Sequence, residues 1–238
     1  VLDISGSAAV TEVKLLAGKA VVKGQIQALC AWKSRDSAAL QSQEAAIPFE
    51  QILDVEGLTE DCQCLCVAEP VGFALAEGEN GAPAQLSATA MLHLRAWRPY
   101  ELRCVADAFS TQCEVQCETA PLTAETLACT LDQTVEVNCS GPLPDQDTRL
   151  LACFASFGPV SIETRDQGPV LTARVLVTAF GQNSLDEIDS YDKAADLAIP
   201  LEGCPEGQLY LECWLSAVSV QASCAGGVLE VGVRVRAQ

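Results

Sequence analysis

The chain is poor in most of what enzymes use for chemistry near neutral pH. Its 238 residues include a single histidine, His93. A Ser-His-Asp or Cys-His arrangement would have to be built on that one side chain. His93 falls in the alternating stretch ATAMLHLRAW (88–97), on a face with Met91, Arg95 and Trp97, where a histidine more often serves structure. No G-x-S-x-G, Walker loop or G-x-G-x-x-G is present. The expectation is a protein that is not an enzyme, with no catalytic residue and no cofactor. Positive charge is also scarce, with 14 Lys and Arg against 32 Asp and Glu and a net charge of −18. Such a polyanion repels phosphate backbones and anionic lipid, so nucleic acid is not an expected partner. No apolar run reaches the ~20 residues of a membrane helix, so no membrane insertion is expected. The first residue is Val rather than Met. The sequence as written is therefore processed or lacks an upstream segment, and a removed signal peptide stays open.

One residue type is abundant. Thirteen cysteines is a high count for this length, and it is odd, so pairing within one chain leaves at least one sulfur over. The densest cluster is DCQCLC (61–66). On a strand, Cys62, Cys64 and Cys66 share a face in steps of ~6.6–7 Å. That spacing suits bonds to a neighbouring strand or to another chain better than bonds among themselves. No C-x-x-C occurs, and Cys113-x₃-Cys117 lacks a matching second pair, so no metal site is expected. The acidic run NSLDEIDSYDKAAD (183–196) has Asp186, Asp189 and Asp192 but not the glycine and final glutamate of a calcium loop; it reads as a solvated connection. Trp32, Trp97 and Trp214 would serve a carbohydrate-binding sandwich from an exposed face. Three tryptophans in a chain of this size more often fill cores or interfaces.

Period-2 alternation runs through the chain. In VLEVGVRV (228–235), Val231, Val233 and Val235 take one face, opposite Glu230, Gly232 and Arg234. In VVKGQIQALCAW (21–32), Val22, Ile26, Ala28 and Cys30 lie together. QLYLECWLSAVSV (208–220) and ATAMLHLRAW (88–97) alternate likewise, and EGENGAP (77–83) and CAGG (224–227) supply turns. ELRCVADAFSTQCEVQCE (101–118) reads as a hairpin. Helix signals are confined to FEQILDVEG (49–57), stopped by Gly57, and LTAETLACTL (122–131), with Thr123 as a cap. The expected fold is all-β: tandem antiparallel β-sandwich-like domains with few short helices, divided at 1–118 and 119–238. The duplication is suggested by AAIPFEQI (45–52) and LAIPLEGC (197–204), about 150 positions apart, each with a long strand upstream and two long strands downstream.

The order GKAVVKGQIQALCAW (18–32), AAIPFEQILDVEGL (45–58), a strand pair, then YELRCVADAFST (100–111) resembles the SPOCS domain family. The likeness covers most of residues 10–120 and, more weakly, 157–238. It implies a protein of the clostridial spore coat or exosporium, without the LysM-like segment that some members carry. It also implies manufacture in a sporulating mother cell, where no signal peptide is needed and cysteines oxidise after lysis.

The resulting expectation is a non-enzymatic structural protein at the spore surface, in the coat, exosporium or an appendage, and extracellular after lysis. It would self-assemble into a layer, fibre or appendage through strand pairing and inter-subunit disulfides. Its partners would be further copies of itself and other spore-envelope proteins. Cys62, Cys64, Cys66, Cys113 and Cys117 are the candidate cross-linking residues. The alternative is a monomeric adaptor that docks a spore-coat morphogenetic protein through one sheet face.

Overall fold

The computed structural model of the chain describes residues 3–33, 40–76, 84–98, 100–101, 103–105, 107–118, 120–121, 127–204 and 210–238. They are all-β: twelve antiparallel strands and, among the described residues, no helix. Among the described residues no helix is therefore long and apolar enough to cross a membrane.

The first five strands make one packed unit. β1 (Asp3–Leu16), β2 (Lys19–Lys33) and β3 (Leu40–Asp54) form a meander in the order β1-β2-β3, and β4 (Gln63–Ala76) pairs with β5 (Gln85–Trp97). The alternation of β2 points Val22 and Ile26 inward with Ala8 and Val10 of β1. They meet Cys66 and Ala68 of β4, with Phe49, Phe73, Leu92 and Leu94 closing the sides. Prolines fall where they cost no ladder bond: Pro48 on the edge strand β3 and Pro70 at the β4 bulge.

The remaining strands make a second, larger unit. β6 (Gln133–Pro142), β7 (Arg149–Phe157), β8 (Ser161–Arg165), β9 (Gly168–Gln182), β10 (Ile188–Pro200), β11 (Leu215–Ala225) and β12 (Val228–Ala237) form two sheets. One has the order β10-β9-β7, with β8 also on β9; the other has the order β11-β12-β6. The inward faces of β9 (Leu171, Ala173, Val175, Val177, Ala179) and β12 (Leu229, Val231, Val233, Val235, Ala237) meet in one core with Leu197 and Ile199. This is a β-sandwich, and period-2 alternation produces it directly. The β11–β12 connection is Gly226-Gly227, with φ +58° and +75°; two successive positive φ angles make the primed turn that matches strand twist, and glycine adopts them without strain. Leu229 is wholly buried at the centre of this core. Leu229→Ala is expected to cost about 2–5 kcal/mol, read as a lower urea midpoint at unchanged slope.

Three expectations change. FEQILDVEG is not helical: residues 49–54 continue β3, in register with β2 from Phe49↔Gly24 to Asp54↔Lys19. The reason is tertiary. A 15-residue ladder with β2 supplies backbone partners that one isolated helical turn lacks, and Gly24 leaves the space over which the Phe49 ring lies. Residues 101–118 are not a hairpin, since the described part holds no strand. Short bonds shape it instead: Ser110 Oγ accepts from the backbone N–H groups of Gln112 and Cys113, and Asp107 Oδ1 from that of Ala108. These are the local side-chain bonds that compete with ladders. Of the strand foreseen over 208–220, residues 208–209 lie outside the described residues, 210–214 carry no strand, and β11 begins at Leu215. The helix foreseen over 122–131 lies outside the described residues up to 126, and 127–131 carries no regular structure. The EGENGAP turn also lies outside the described residues.

The two Ile-Pro pairs both lie in strands that pair with the long strand before them, Ile47 opposite Ile26 and Ile199 opposite Leu171. They then diverge. β3 runs on for six residues after Pro48, whereas β10 ends at Pro200. A like turn follows each: Val55–Leu58 and Leu201–Cys204, with Gly57 at φ +79° and Gly203 at +71°. In each the fourth N–H donates to the first carbonyl at 3.3 Å.

Candidate functional site

The thirteen cysteines are the chemistry this chain holds, and the fold sorts them. Cys66 of β4 points into the first core and is 1% exposed. Burial pushes its thiol up to about 11, with Cys64 adding to the rise. Cys64, two residues before it, is half-buried; burial raises its pKa, and the charge of Asp132 adds to this. Cys62 stands just before β4, where its sulfur shares a hydrogen bond with Thr59 Oγ1 at 3.2 Å. DCQCLC is thus a graded series from turn to core rather than a uniform sulfur-bearing edge.

Cys113 and Cys117 are exposed, as is Cys104. All three lie in the strandless stretch after β5. The Cys113 thiol donates to Ser110 Oγ at 3.3 Å and the Cys117 thiol to the Ala108 carbonyl at 3.6 Å. The same stretch exposes large apolar side chains: Tyr100 is 81% exposed, Val105 87% and Phe109 89%. Sequence reasoning singled out Cys113 and Cys117 for their clustering but passed over Cys104, which stands alone in sequence and joins them only by exposure.

In the second unit, Cys153 and Cys213 are packed against the core, and burial pushes each up to about 11; for Cys153 the charges of Cys139 and Glu44 add to the rise. Burial also raises Cys139. The thiolate is the reactive form, so these sulfurs are poor nucleophiles near pH 7–8. A timed alkylation read by peptide mass spectrometry is expected to label Cys104, Cys113 and Cys117 first, and Cys66, Cys153 and Cys213 last. Raising the pH toward 10 should speed the slow group. Early labelling of Cys66 would contradict this placement.

Other candidates disperse. His93 is exposed on β5, with Glu69 3.7 Å away across the strand pair, and contacts neither Ser nor Cys in a triad-like chain. Asp192 accepts from Thr178 Oγ1 at 2.7 Å and Asp189 from Asn183 Nδ2 at 3.2 Å. Three residues apart on a strand, Asp189 and Asp192 point to opposite faces and do not converge. Among the described residues no three His, Cys, Asp or Glu side chains gather at metal-binding distance. Trp97 donates from Nε1 to Gln63 Oε1 at 3.0 Å, and Trp214 is partly exposed.

A joint between the two units is the remaining polar feature. β1 lies against β11, and β3 against β7. Arg236 of β12 grips Asp132 with two hydrogen bonds, Nε to Oδ1 at 2.9 Å and Nη2 to Oδ2 at 2.8 Å. Its third nitrogen donates to the Val10 carbonyl of β1. The Gln238 amide, oriented so that its oxygen accepts from Arg236 at 3.1 Å, donates to the Cys66 carbonyl at 3.3 Å. Arg149 donates to the Leu40 carbonyl, and Arg95 pairs with Glu212.

Comparison with protein families gives a match that covers part of the first unit. Residues 1–71 match the family model described as SipL, SPOCS domain. This stretch of the chain is a SPOCS domain. Its match spans β1–β3 and the first part of β4, including Ile47-Pro48-Phe49 and all three cysteines of DCQCLC. A SPOCS domain points to a spore-related role and a spore-associated protein. No curated protein and no solved structure matches the chain.

Proposed function

We propose that this SPOCS protein is a non-enzymatic structural component of the spore envelope, whose copies join through strand pairing and are then linked by disulfides. The observation that supports this best is the stretch around residues 100–118. It holds three exposed cysteines and the exposed Tyr100, Val105 and Phe109, so apolar side chains and accessible thiols are offered within one stretch of chain. The sheets add open edges. β3, of 15 residues, and β5, of 13, each have one side that pairs with no strand among the described residues. Such edges are templates for a second chain, and Pro48 limits pairing on β3 to a particular register. Disulfides formed only in the assembled state would oppose release by mass action. We propose Cys104, Cys113 and Cys117 as the interchain set, with Cys62 as a further half-exposed donor and Cys66 held in the core. The like meanders and like turns of the two units support reading the second as a divergent SPOCS copy.

Negative-stain electron microscopy of the air-oxidised protein tests the assembly. Fibres or sheets that reductant loosens are the expected result. Monodisperse single particles after oxidation would shift the reading to a monomeric adaptor. A feature of the second unit bears on that reading: an open trough of about 560 Å³ on the face of β11-β12-β6, of mixed polarity, lined by Glu136, Asn138, Cys139, Ala222 and Glu230 around Gly232.

A further inference from the structure

We propose that Cys129 and Cys204 are the two halves of an intrachain disulfide that clamps the segment entering β6 to the turn leaving β10. Their sulfurs stand 2.8 Å apart, the Cys129 thiol directed at Cys204. It is the one sulfur-to-sulfur contact among the hydrogen bonds of the described residues; the thiols of Cys113 and Cys117 turn to oxygen instead, and Cys62 pairs with Thr59. The residues lie 75 positions apart, so the contact is made by the fold and not by chain proximity.

The surroundings suit a bond and little else. Cys129 lies in the strandless stretch before β6, and Cys204 closes the Leu201–Cys204 turn after β10. Neither backbone is fixed in a ladder, so both can make the small adjustment that bonding distance requires. Both sulfurs are half-buried: sheltered, yet open to a small oxidant. Among the described residues no third His, Cys, Asp or Glu gathers with the pair at metal-binding distance. The first unit shows what the position does otherwise. In its like turn the place of Cys204 is taken by Leu58, which is buried and secures that turn by packing. The second unit has a cysteine there and a second cysteine to meet it.

The step is thiol–disulfide exchange with a small-molecule disulfide as oxidant. One protein thiolate attacks the oxidant; its S–S bond breaks, one thiolate leaves, and a mixed disulfide forms. The second protein thiolate attacks the protein sulfur of that mixed disulfide and expels the other thiolate. The oxidant is reduced to two thiols, which take up the two protons the cysteines release. The bond uses two of thirteen cysteines and leaves eleven, still an odd number, so it does not compete with linkage between chains.

The test treats the full chain with oxidised glutathione, blocks remaining thiols by alkylation, and maps linked peptides by fragmentation to single residues. The monomer band of a non-reducing gel is expected to carry Cys129 joined to Cys204, and Cys129→Ser is expected to return Cys204 to the alkylated pool. Finding both residues alkylated in the oxidised monomer, or each joined to other partners, overturns the proposal. Because the monomer band alone is mapped, neither result depends on whether copies assemble.

Discussion

In urea, the glutathione-oxidised chain is expected to unfold at a higher midpoint than the C129S/C204S double variant treated in the same way. The difference should be about 4 kcal/mol, the chain-entropy value for a closed loop of this length. That is a large share of the roughly 5–15 kcal/mol that holds a domain folded. The bond would close a ring containing β6 to β10, five of the seven strands of the second unit. Unfolding would then have to proceed with that ring intact, which takes conformations from the unfolded chain and leaves the folded one almost untouched. Two controls separate this from other effects. Under reductant, wild type and double variant should agree within about 1 kcal/mol, since half-buried thiols are exchanged for hydroxyls of similar size. With oxidant, the slope of the unfolding transition should fall in wild type alone, because the looped chain exposes less surface. Equal midpoints for oxidised and reduced wild type would show that no stabilising bond forms at this pair.

Much of the fold is legible in the sequence, because alternation is a local property that the sandwich uses directly. Val231, Val233 and Val235 share a face in the sequence and a core in the structure, and Gly226-Gly227 marks its hairpin in both. Where the reading departs from the structure, the deciding partner is remote. FEQILD has a plausible helical stop at Gly57, yet β2 supplies a ladder partner for each residue. ELRCVADAFST alternates like a strand, yet no strand pairs with its described residues, and alternation without a partner leaves irregular chain. The cysteines show the same limit. Spacing grouped Cys62, Cys64 and Cys66, but the first core buries Cys66 while Cys62 stays at a turn. Cys129 and Cys204 carried no local signal, since each is isolated in sequence and only the turn after β10 brings them together. Arg236 was not singled out in the sequence, because its partners Asp132 and Val10 come from outside β12.

Replacing Arg236 with alanine is expected to cost about 2 kcal/mol and to loosen the two units from each other. The figure lies below the 3–5 kcal/mol of a fully buried pair because only one side is sheltered: Arg236 is 12% exposed but Asp132 58%. The arginine nonetheless binds three acceptor groups at once, the Asp132 carboxylate, the Val10 carbonyl and the Gln238 amide, and truncation leaves each to be rehydrated. The acid dependence gives a sharper test. The hydrogen bonds from Arg236, and then its charge, hold the Asp132 carboxyl below the usual range. A carboxyl with a depressed folded pKa stabilises above its unfolded value, near 4, and that contribution is lost as pH falls through the folded value. Asp132→Asn should therefore lower the urea midpoint at pH 7 and lower it progressively less as pH drops below about 4. Asp61 and Asp145 are also held low, by hydrogen bonds from Thr59 and from the Ser184 backbone, so wild type alone will show a composite acid transition. The difference between wild type and D132N isolates the joint. If that difference is the same at pH 7 and pH 3, the charge of the Asp132 carboxylate is not what Arg236 holds at the joint.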